Sequence, residues 1–461
     1  MQSPAQPGGL GAAPPVTTLT GDEIVALCKQ HTLFEWSAQA NVNPIPVVRA
    51  KGVYFWDADG KRYLDFNSQL MCVNIGHGDE RVIRAIQEQA AALAYVHPAM
   101  ATEPRARLGE ALARIAPGDL NHAFFTTGGA ESDEHAIRMA RSVTGRQKIV
   151  TRYRSYHGAT AGAASLTGEP RRWPAEPGLP GVVRVLDPHR YRCSFCKQLP
   201  ACTLDCLNHV EEIVQYEDPN SIAAILVESV VGTNGIIIPP DGYMQGLRSL
   251  CDRHGILLIC DEVMSGFGRT GEWFAVNHWN VVPDIMTMAK GLTSAYLPLG
   301  AVMVSDAIAA HYQNHVLASG LTYGAHPLSC AAAVAAIKVY EDDGLIENAR
   351  RLGRVLGEEL ERLKVRHPSV GDVRYIGLFS IVELVKDRAT REPLVPFNAA
   401  PSELGPMSKL GAFFRENGLF TFVRWNTFFC NPPLCITEDQ LREGIEIIDR
   451  GLDITDEAVA S

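Results

Sequence analysis

No apolar run in the chain approaches the roughly 20 residues that a membrane-spanning helix requires, so we predict no membrane partner. The first 20 residues contain neither lysine nor arginine and have no apolar centre, which argues against a signal or transit peptide. Residues 1–25 are rich in small and proline residues and are predicted to form a disordered tail. The net charge of −10 argues against a nucleic-acid partner.

The cysteines do not indicate a disulfide framework. There are 11 of them, an odd number, and Cys251, Cys260 and Cys330 lie in apolar segments that are typical of buried thiols. Free thiols of this kind are usual in a reducing compartment. We therefore predict a cytoplasmic protein.

Four further cysteines follow one another within a polar loop, at Cys193, Cys196, Cys202 and Cys206. Four thiolates could hold a zinc ion in a tetrahedral site. The second pair, however, lacks the two-residue spacing of a zinc knuckle. Two interpretations remain open, a structural metal or an inserted loop with free or partly oxidised thiols, and we assign no metal ligand to the active site.

From residue 120 to 305, short apolar strands alternate with helical segments. Such strands lack a polar face, which predicts an α/β fold with a mostly parallel sheet covered on both sides. Seven strands are predicted: Ala123–Thr126, Lys148–Thr151, Val182–Leu186, Ile222–Glu228, Ile256–Asp261, Ile285–Met288 and Ala301–Val304.

The remaining segments indicate a second, smaller α+β domain. We predict that residues 26–78, with a hairpin around Asp59-Gly60, join this domain. A helix beginning near Asp79 opens the large domain, which extends over residues 79–330. Residues 331–461 complete the small domain with charged helices and short strands.

The strongest chemical signal is a pair formed by Lys290 and Asp261. Lys290 follows the apolar segment Ile285–Met288, and a partly desolvated lysine becomes a nucleophilic amine able to form a Schiff base with an aldehyde. Asp261 closes the buried segment Ile256–Asp261. A lysine for an aldehyde and an acid for a ring nitrogen are what pyridoxal phosphate requires.

Two loops near the predicted strand ends add weaker signals. The turn Thr126–Asp133 follows a strand and opens a helix, so its backbone amides could bind a phosphate or could simply form a tight turn. Tyr156 and His157 lie in a loop of small residues after the next strand. The Tyr156 ring could stack on a flat cofactor, or it could be an ordinary loop tyrosine.

The segment Gly266–Gly271 matches the G-x-G-x-x-G fingerprint of dinucleotide-binding proteins. No evident helix follows it, and Asp284 lies too close to act as the ribose-binding acid. We therefore reject a nicotinamide-binding site. Arg424 lies among many aromatic residues, where a guanidinium needs a partner such as a carboxylate.

Taken together, these segments resemble the class III aminotransferases, pyridoxal-phosphate enzymes of fold type I, over about residues 30–455. The segments Phe66–Met71 and Arg424–Asn426 are most similar to the ω-amino acid and taurine aminotransferases. The motifs that carry the resemblance are Asn74–Gly78, Thr127–Glu131, Tyr156–Gly158, Glu228 with Gly232, Asp261–Val263, Gly266–Gly271, Ala289–Gly291, Thr322–Pro327 and Pro432–Leu434.

The resemblance implies a role for each matching residue at the cofactor. Lys290 would carry the cofactor aldehyde, and Asp261 would keep the pyridine nitrogen protonated. Val263 and Tyr156 would enclose the ring, with His157 and Glu228 beside it. The phosphate would be bound by Gly129 and Ala130, and by Thr322 of a neighbouring subunit.

The resemblance also implies how substrate is held. Arg424 would bind the α-carboxylate of a keto acid and would turn away, towards Glu228, when an ω-amine enters. Shared sites imply a homodimer, and pairing of dimers into tetramers stays open. This chain departs from the family pattern at Ser229, where proline is usual, and at Gly129-Ala130, where the phosphate turn is usually rich in serine.

We expect transfer of an amino group from an ω-amino acid, an aminosulfonate of the taurine or β-alanine type, or an amine to pyruvate or 2-oxoglutarate. Two alternatives stay open at this stage. One is an aminomutase or decarboxylating transaminase with the same cofactor. The other is a metal-binding or interaction protein on an inactive transaminase fold, with the cysteine-rich loop as its working part.

Overall fold

The computed structural model describes residues 18–460, and its central element is a seven-stranded sheet. Six strands run in the same direction, and Gly300–Val304 is antiparallel to both of its neighbours. The predicted α/β fold is therefore confirmed. The strands lie in the order His122–Thr126, Gly300–Val304, Ile285–Met288, Leu257–Asp261, Ile222–Glu228, Lys148–Arg152 and Val182–Val185.

The sheet forms because its strands are apolar on both faces. Every residue of Ile222–Glu228 is buried, as is every residue of Ile285–Met288 and of Gly300–Val304. Helices must therefore cover both faces of the sheet. The α-helices of the chain are Gly21–His31, Ser68–Met71, Glu80–Ala92, Glu103–Ile115, Gly129–Thr144, Ala161–Leu166, Asp205–Tyr216, Tyr243–His254, Asp306–His311, Pro327–Asp342, Leu345–Arg366, Gly405–Glu416 and Glu438–Ala460.

Two smaller sheets join the chain's beginning to its end. The predicted hairpin is present as Tyr54–Asp57 and Arg62–Asp65, and the C-terminal segment Leu419–Phe420 pairs in parallel with its second strand. Val47–Lys51 completes that sheet. A five-stranded sheet contains Val370–Ile376, Phe379–Asp387, Glu392–Pro393, Val423–Arg424 and Thr427–Cys430. The domain limits proposed from the sequence stay a prediction.

The expected disordered tail is wrong over its last residues. A helix spans Gly21–His31, because Thr20 Oγ1 accepts from the Glu23 amide at 3.3 Å while the Glu23 carboxylate accepts from the Thr20 amide at 2.8 Å. This reciprocal capping stabilises a helix start that composition alone does not reveal. Residues 1–17 lie outside the described part of the chain.

No helix within residues 18–460 combines the length and the apolar character needed to cross a bilayer. The sequence-based helix near Asp79 is confirmed, since Asp79 accepts from the Arg81 amide at 2.9 Å and caps Glu80–Ala92. The helices Leu345–Arg366 and Glu438–Ala460 agree with the charged helices expected in this part of the chain.

Candidate active site

A cavity of about 650 Å³ lies where the parallel strands of the large sheet end. Asp261 and Glu228 are the last residues of adjacent strands, and Lys290 follows the next strand, which ends at Met288. Open α/β sheets bind their ligands at the carboxyl ends of the strands. Lys290, Asp261 and Glu228 all line this cavity, so one site collects three residues that sequence reasoning selected separately.

Lys290 presents its amine to this cavity from a short 3-10 turn, Lys290–Leu292. Its φ of 41° is unusual for a residue with a side chain and marks a constrained position. Burial lowers the pKa of the ammonium, and the nearby thiol of Cys72 and carboxylate of Asp261 act in the opposite direction. A lysine with a lowered pKa is a better nucleophile at neutral pH.

Asp261 is held rigidly by two contacts. Its Oδ2 lies 2.7 Å from His157 Nδ1, and its Oδ1 accepts from the Val263 amide at 2.9 Å. His157 and Asp261 are both buried, so this pair is protected from water. The role that the resemblance gives to His157 is thus a contact with Asp261, which fixes the direction in which the carboxylate points.

A second buried carboxylate, Asp133, belongs to the same cluster and was not selected from the sequence. Its Oδ1 accepts from Thr287 Oγ1 at 2.8 Å, and its Oδ2 lies 3.9 Å from His157 Nδ1. Burial raises the pKa of Asp133 well above its usual value, and the negative charge of Asp261 adds to this effect. The signal available in the sequence was the acidic residue that closes the turn Thr126–Asp133.

The turn before the helix Gly129–Thr144 has the features of an anion site. Its N-cap residue, Gly128, provides no side-chain cap, so the helix start is left to its own amides. Gly129 packs closely against Val263, because a Cβ at position 129 would lie 2.9 Å from a Val263 methyl. Gly128, Gly129, Ala130 and Val263 all line the cavity.

Tyr156 and Val263 both line the cavity, as the resemblance implies. Glu228 also lines it, but its carboxylate accepts from the backbone amides of Tyr156 at 3.0 Å and Gly232 at 2.6 Å. Burial raises the pKa of Glu228. Its hydrogen bonds show that Glu228 orients the loop that carries Tyr156.

Arg424 pairs with Glu169 in this structure, and its turn towards Glu228 when an ω-amine enters stays a prediction. Its guanidinium donates to Glu169 Oε2 at 2.8 Å and lies 4.1 Å from the Trp425 ring centre. Both carboxylate oxygens of Glu228 accept from backbone amides here. Burial lowers the pKa of Arg424 to about 10, and the positive charge of Arg171 acts in the same direction.

Arg171 is a further residue that sequence reasoning missed. Its guanidinium carbon lies 3.5 Å from the Tyr156 ring centre, and its terminal nitrogen donates to Thr233 Oγ1 at 2.8 Å. Its Nε donates to the second oxygen of Glu169. The charged run Glu169-Pro-Arg-Arg-Trp173, close to the loop with Tyr156, was a signal that could have located this group.

Thr322 does not reach the cavity of its own chain. It is exposed, and its carbonyl accepts from the Tyr95 hydroxyl at 2.8 Å. The expectation that it serves a neighbouring subunit's phosphate site therefore stays a prediction.

Arg269, within the glycine-rich segment Gly266–Gly271, has a structural role. It is fully buried and binds Ser68 Oγ at 2.9 Å, Asn74 Oδ1 at 2.8 Å and the Pro432 carbonyl at 2.7 Å. The segment opens no α-helix, since only a short 3-10 turn follows at Ala275–Trp279. These contacts tie the N-terminal and C-terminal segments to the large sheet.

The four cysteines of the polar loop lie close together. Cys193, Cys196 and Cys206 are buried, and Cys196 Sγ is 3.9 Å from Cys202 Sγ. The compact groups of possible metal ligands within residues 18–460 are Asp133–His157–Asp261 and His367–Asp453–Asp456, neither of which contains a cysteine. Whether these thiols hold a metal is untested.

The residues at the cavity fit pyridoxal phosphate. The cavity has an amine at Lys290 for the aldehyde, a fixed carboxylate at Asp261 for the ring nitrogen, and uncapped helix amides for the phosphate. Gly129 leaves room that a side chain would fill.

Comparison with known proteins agrees with this chemistry. The family model "Aminotransferase class-III" matches residues 36–452. The solved taurine:2-oxoglutarate aminotransferase from Bifidobacterium kashiwanohense, in complex with PLP and glutamate, superposes with a TM-score of 0.92 at 43% identity, covering 96% of this chain and 99% of its own.

Two curated relatives point the same way. An uncharacterised aminotransferase of Bacillus subtilis is 39% identical, covering 85% of this chain and 88% of its own length. The taurine–pyruvate aminotransferase of Bilophila wadsworthia is 32% identical, covering 93% of this chain and 96% of its own. The chain therefore belongs to the class III aminotransferases, enzymes of fold type I that depend on pyridoxal phosphate.

Proposed function

We propose that this aminotransferase moves an amino group from an ω-amino acid or aminosulfonate, of the taurine or β-alanine type, or from an amine, to a 2-oxo acid. Pyruvate and 2-oxoglutarate are the candidate acceptors. The reaction follows a ping-pong scheme, in which the donor leaves as its carbonyl product before the 2-oxo acid enters the same site. The printed names of the relatives support this range, since taurine occurs with both acceptors among them.

The observation that carries the proposal is the ion pair between Arg424 and Glu169. An arginine held by a carboxylate next to the cavity can release that partner when an anionic substrate arrives, and can return to it when a neutral or cationic group enters. Guanidinium binds carboxylate and sulfonate oxygens through paired hydrogen bonds. A 2-oxo acid, which has a carboxylate next to its reacting carbon, and an ω-amine, which has none there, can thus use the same site.

When bound, the cofactor supplies an aldehyde that takes up the amine and a ring that accepts electrons from the substrate carbon. Nζ of Lys290 takes a proton from the amine-bearing carbon and later returns one, as a general acid–base whose pKa is lowered by burial. The Asp261 carboxylate, oriented by His157, would hold a proton on the ring nitrogen. Tyr156 and Val263, which both line the cavity, would enclose the ring.

We also propose a homodimer in which each active site is shared, with Thr322 of one subunit completing the phosphate site of the other. The exposure of Thr322 in the single chain supports this arrangement. A cytoplasmic location stays a prediction.

A panel of amine donors tests the proposal. Taurine, β-alanine and simple amines are each assayed against pyruvate and 2-oxoglutarate, after the absorbance of the bound cofactor has been recorded. We expect turnover with at least one ω-amine donor and an absolute requirement for an external 2-oxo acid. Turnover without any 2-oxo acid would favour an aminomutase, and release of carbon dioxide would favour a decarboxylating enzyme.

A further inference from the structure

Arg171 and Arg424 form what we call the arginine pair, because their two guanidiniums share one carboxylate, that of Glu169. Glu169 is buried, with one oxygen accepting from Arg171 Nε and the other accepting from Arg424 at 2.8 Å. The side chains of Arg171 and Arg424 are only 20% and 12% exposed. Two largely buried cations therefore have a single negative partner.

This imbalance is unusual for a site that would bind only one anionic group. Buried charges are costly without partners, and proteins rarely keep an excess cation unless a ligand or a solvent path balances it. Two further carboxylates lie near Tyr156. That of Glu228 accepts from backbone amides, and that of Glu35 is exposed; neither forms an ion pair with Arg171 or Arg424 among the described residues. One positive charge of the arginine pair remains available to a ligand.

Arg171 is positioned beside the cavity. Its guanidinium lies flat against Tyr156, at 3.5 Å from the ring centre, and donates to Thr233 at 2.8 Å. Tyr156 and Thr233 both line the cavity, and so does Trp36, whose ring centre lies 5.7 Å from the same guanidinium. A cation stacked on one aromatic ring and hydrogen-bonded to a hydroxyl is held in a fixed orientation.

We propose that Arg171 is a second anion-binding residue of the substrate pocket and that, with Arg424, it selects acceptors carrying two carboxylates. The acceptor class is then a dicarboxylic 2-oxo acid, such as 2-oxoglutarate, in preference to the monocarboxylic pyruvate. On binding, the two carboxylates take the places that Glu169 occupies at the two guanidiniums. This inference rests on the proposed aminotransferase function and narrows its acceptor.

The first test uses turnover of the holoenzyme. Arg171→Gln keeps a polar side chain with an amide donor, but it is shorter and removes the charge. We expect the KM for 2-oxoglutarate to rise about tenfold to a hundredfold, as for loss of a charged hydrogen bond, while the KM for pyruvate changes less than about threefold. Arg171→Lys should recover part of the loss. Equal changes for both acceptors would show that Arg171 only supports Tyr156, and would overturn the proposal.

Arg172→Gln is the matched control. Arg172 is the adjacent arginine, is also partly buried, and pairs with Glu176 rather than with Glu169. Arg172 lines two other cavities, whereas Arg171 contacts Tyr156 and Thr233, which line the active-site cavity. We expect its acceptor preference to equal that of the parent enzyme, and a loss for 2-oxoglutarate as large as that of Arg171→Gln would contradict the assignment.

A binding measurement separates this proposal from the proposed function. Glutarate and butyrate lack the 2-oxo group, so neither reacts, and calorimetry on the holoenzyme measures their affinity directly. We expect glutarate to bind at least about tenfold more tightly than butyrate, and Arg171→Gln to abolish the difference. Equal affinities in the parent enzyme would overturn the dicarboxylate proposal even if transamination proceeds. Absence of transamination with every donor would instead refute the function and leave the binding preference intact.

Discussion

The active site has two ends that are built differently. The cofactor end is the cavity with Lys290 and Asp261, and the substrate end is the arginine pair beside that cavity. At the cofactor end, Asp261 is the last residue of a central strand and Lys290 follows the neighbouring strand, so the sheet itself sets their separation. At the substrate end, Glu169 and Arg171 come from a short 3-10 region and the residue before it, and Arg424 comes from the edge of a separate sheet. One end is positioned by a buried scaffold and the other by segments that meet only in the folded protein.

This difference assigns different properties to the two ends. A group held by the sheet acts on every substrate alike, because it contacts the part of the reaction that all donors share. A group on peripheral segments contacts what varies between substrates. Substitutions at the cofactor end should therefore lower turnover uniformly, and substitutions at the substrate end should change preferences.

Replacing the lysine at the cofactor end should have the largest effect. Lys290→Ala removes both the amine that holds the cofactor and the group that moves the proton, so turnover should fall by more than about 10⁴-fold for every donor. The absorbance of the covalently held cofactor should disappear, and borohydride should no longer fix it to the protein. Lys338→Ala, on the exposed side of the helix Pro327–Asp342, is the control and should behave as the parent. Substantial activity in the first variant would remove the basis of the whole assignment.

The next largest effect is expected at the buried acid. Asp261→Asn keeps an oxygen to accept from the Val263 amide but loses the charge that stabilises a protonated ring nitrogen. Turnover should fall by about 10²- to 10⁴-fold, by the same factor for taurine, β-alanine and a simple amine. Losses that differ between donors would contradict the expectation that the cofactor end acts on all substrates alike. A rate near that of the parent would refute the role of Asp261.

The same difference decides what the sequence could reveal. Lys290 and Asp261 were predictable because a buried strand followed by a charged residue is a local pattern. The pairing of Glu169 with Arg424 was not, since the two are 255 positions apart and only the folded chain brings them together. The carboxylate that the resemblance names for Arg424, that of Glu228, accepts from the backbone amides of Tyr156 and Gly232.

The seven strands show the same contrast. Continuous apolar segments identified all seven to within a residue or two, because burial on both faces leaves a clear signal. The helix Gly21–His31 was missed because composition indicated disorder, while its stability comes from two reciprocal hydrogen bonds between Thr20 and Glu23. Two capping residues, Thr20 and Glu23, hardly change the average composition of residues 1–25, so composition does not reveal the helix start.

At the substrate end, removing the shared carboxylate should cost stability more than catalysis. Glu169→Gln leaves the arginine pair without a counter-charge, and breaking a buried ion pair lowers the free energy of unfolding by about 3 kcal/mol or more. Glutarate should restore part of this loss, because its carboxylates replace Glu169. Thermal unfolding with and without glutarate measures both effects.

The matched control for this change is Glu176→Gln, whose carboxylate is 49% exposed and pairs with Arg172. Because Glu176 is exposed to solvent, its loss should cost less than about 1 kcal/mol, so this variant should unfold near the parent temperature and respond to glutarate as the parent does. If Glu169→Gln proves as stable as Glu176→Gln, the two guanidiniums do not depend on that carboxylate, and the substrate end is less tightly built than its contacts indicate.

The smallest effect should come from Asp133, which tests how rigidly the cofactor end holds its charges. Burial and the charge of Asp261 raise the folded-state pKa of Asp133 above its unfolded value of 3.8, so the protein takes up a proton on folding. That contribution to stability is complete below pH 3.8 and is lost as the pH rises through the folded-state pKa.

Asp133→Asn keeps an acceptor for Thr287 and removes the titration. The cofactor-free variant should therefore unfold a few degrees above the parent at neutral pH and lose this advantage in acid, as thermal unfolding from about pH 4 to about pH 8 would measure. A constant difference in unfolding temperature across that range would mean that Asp133 does not titrate in the folded protein. Asp133 and Asp261 would then both stay charged at the cofactor end.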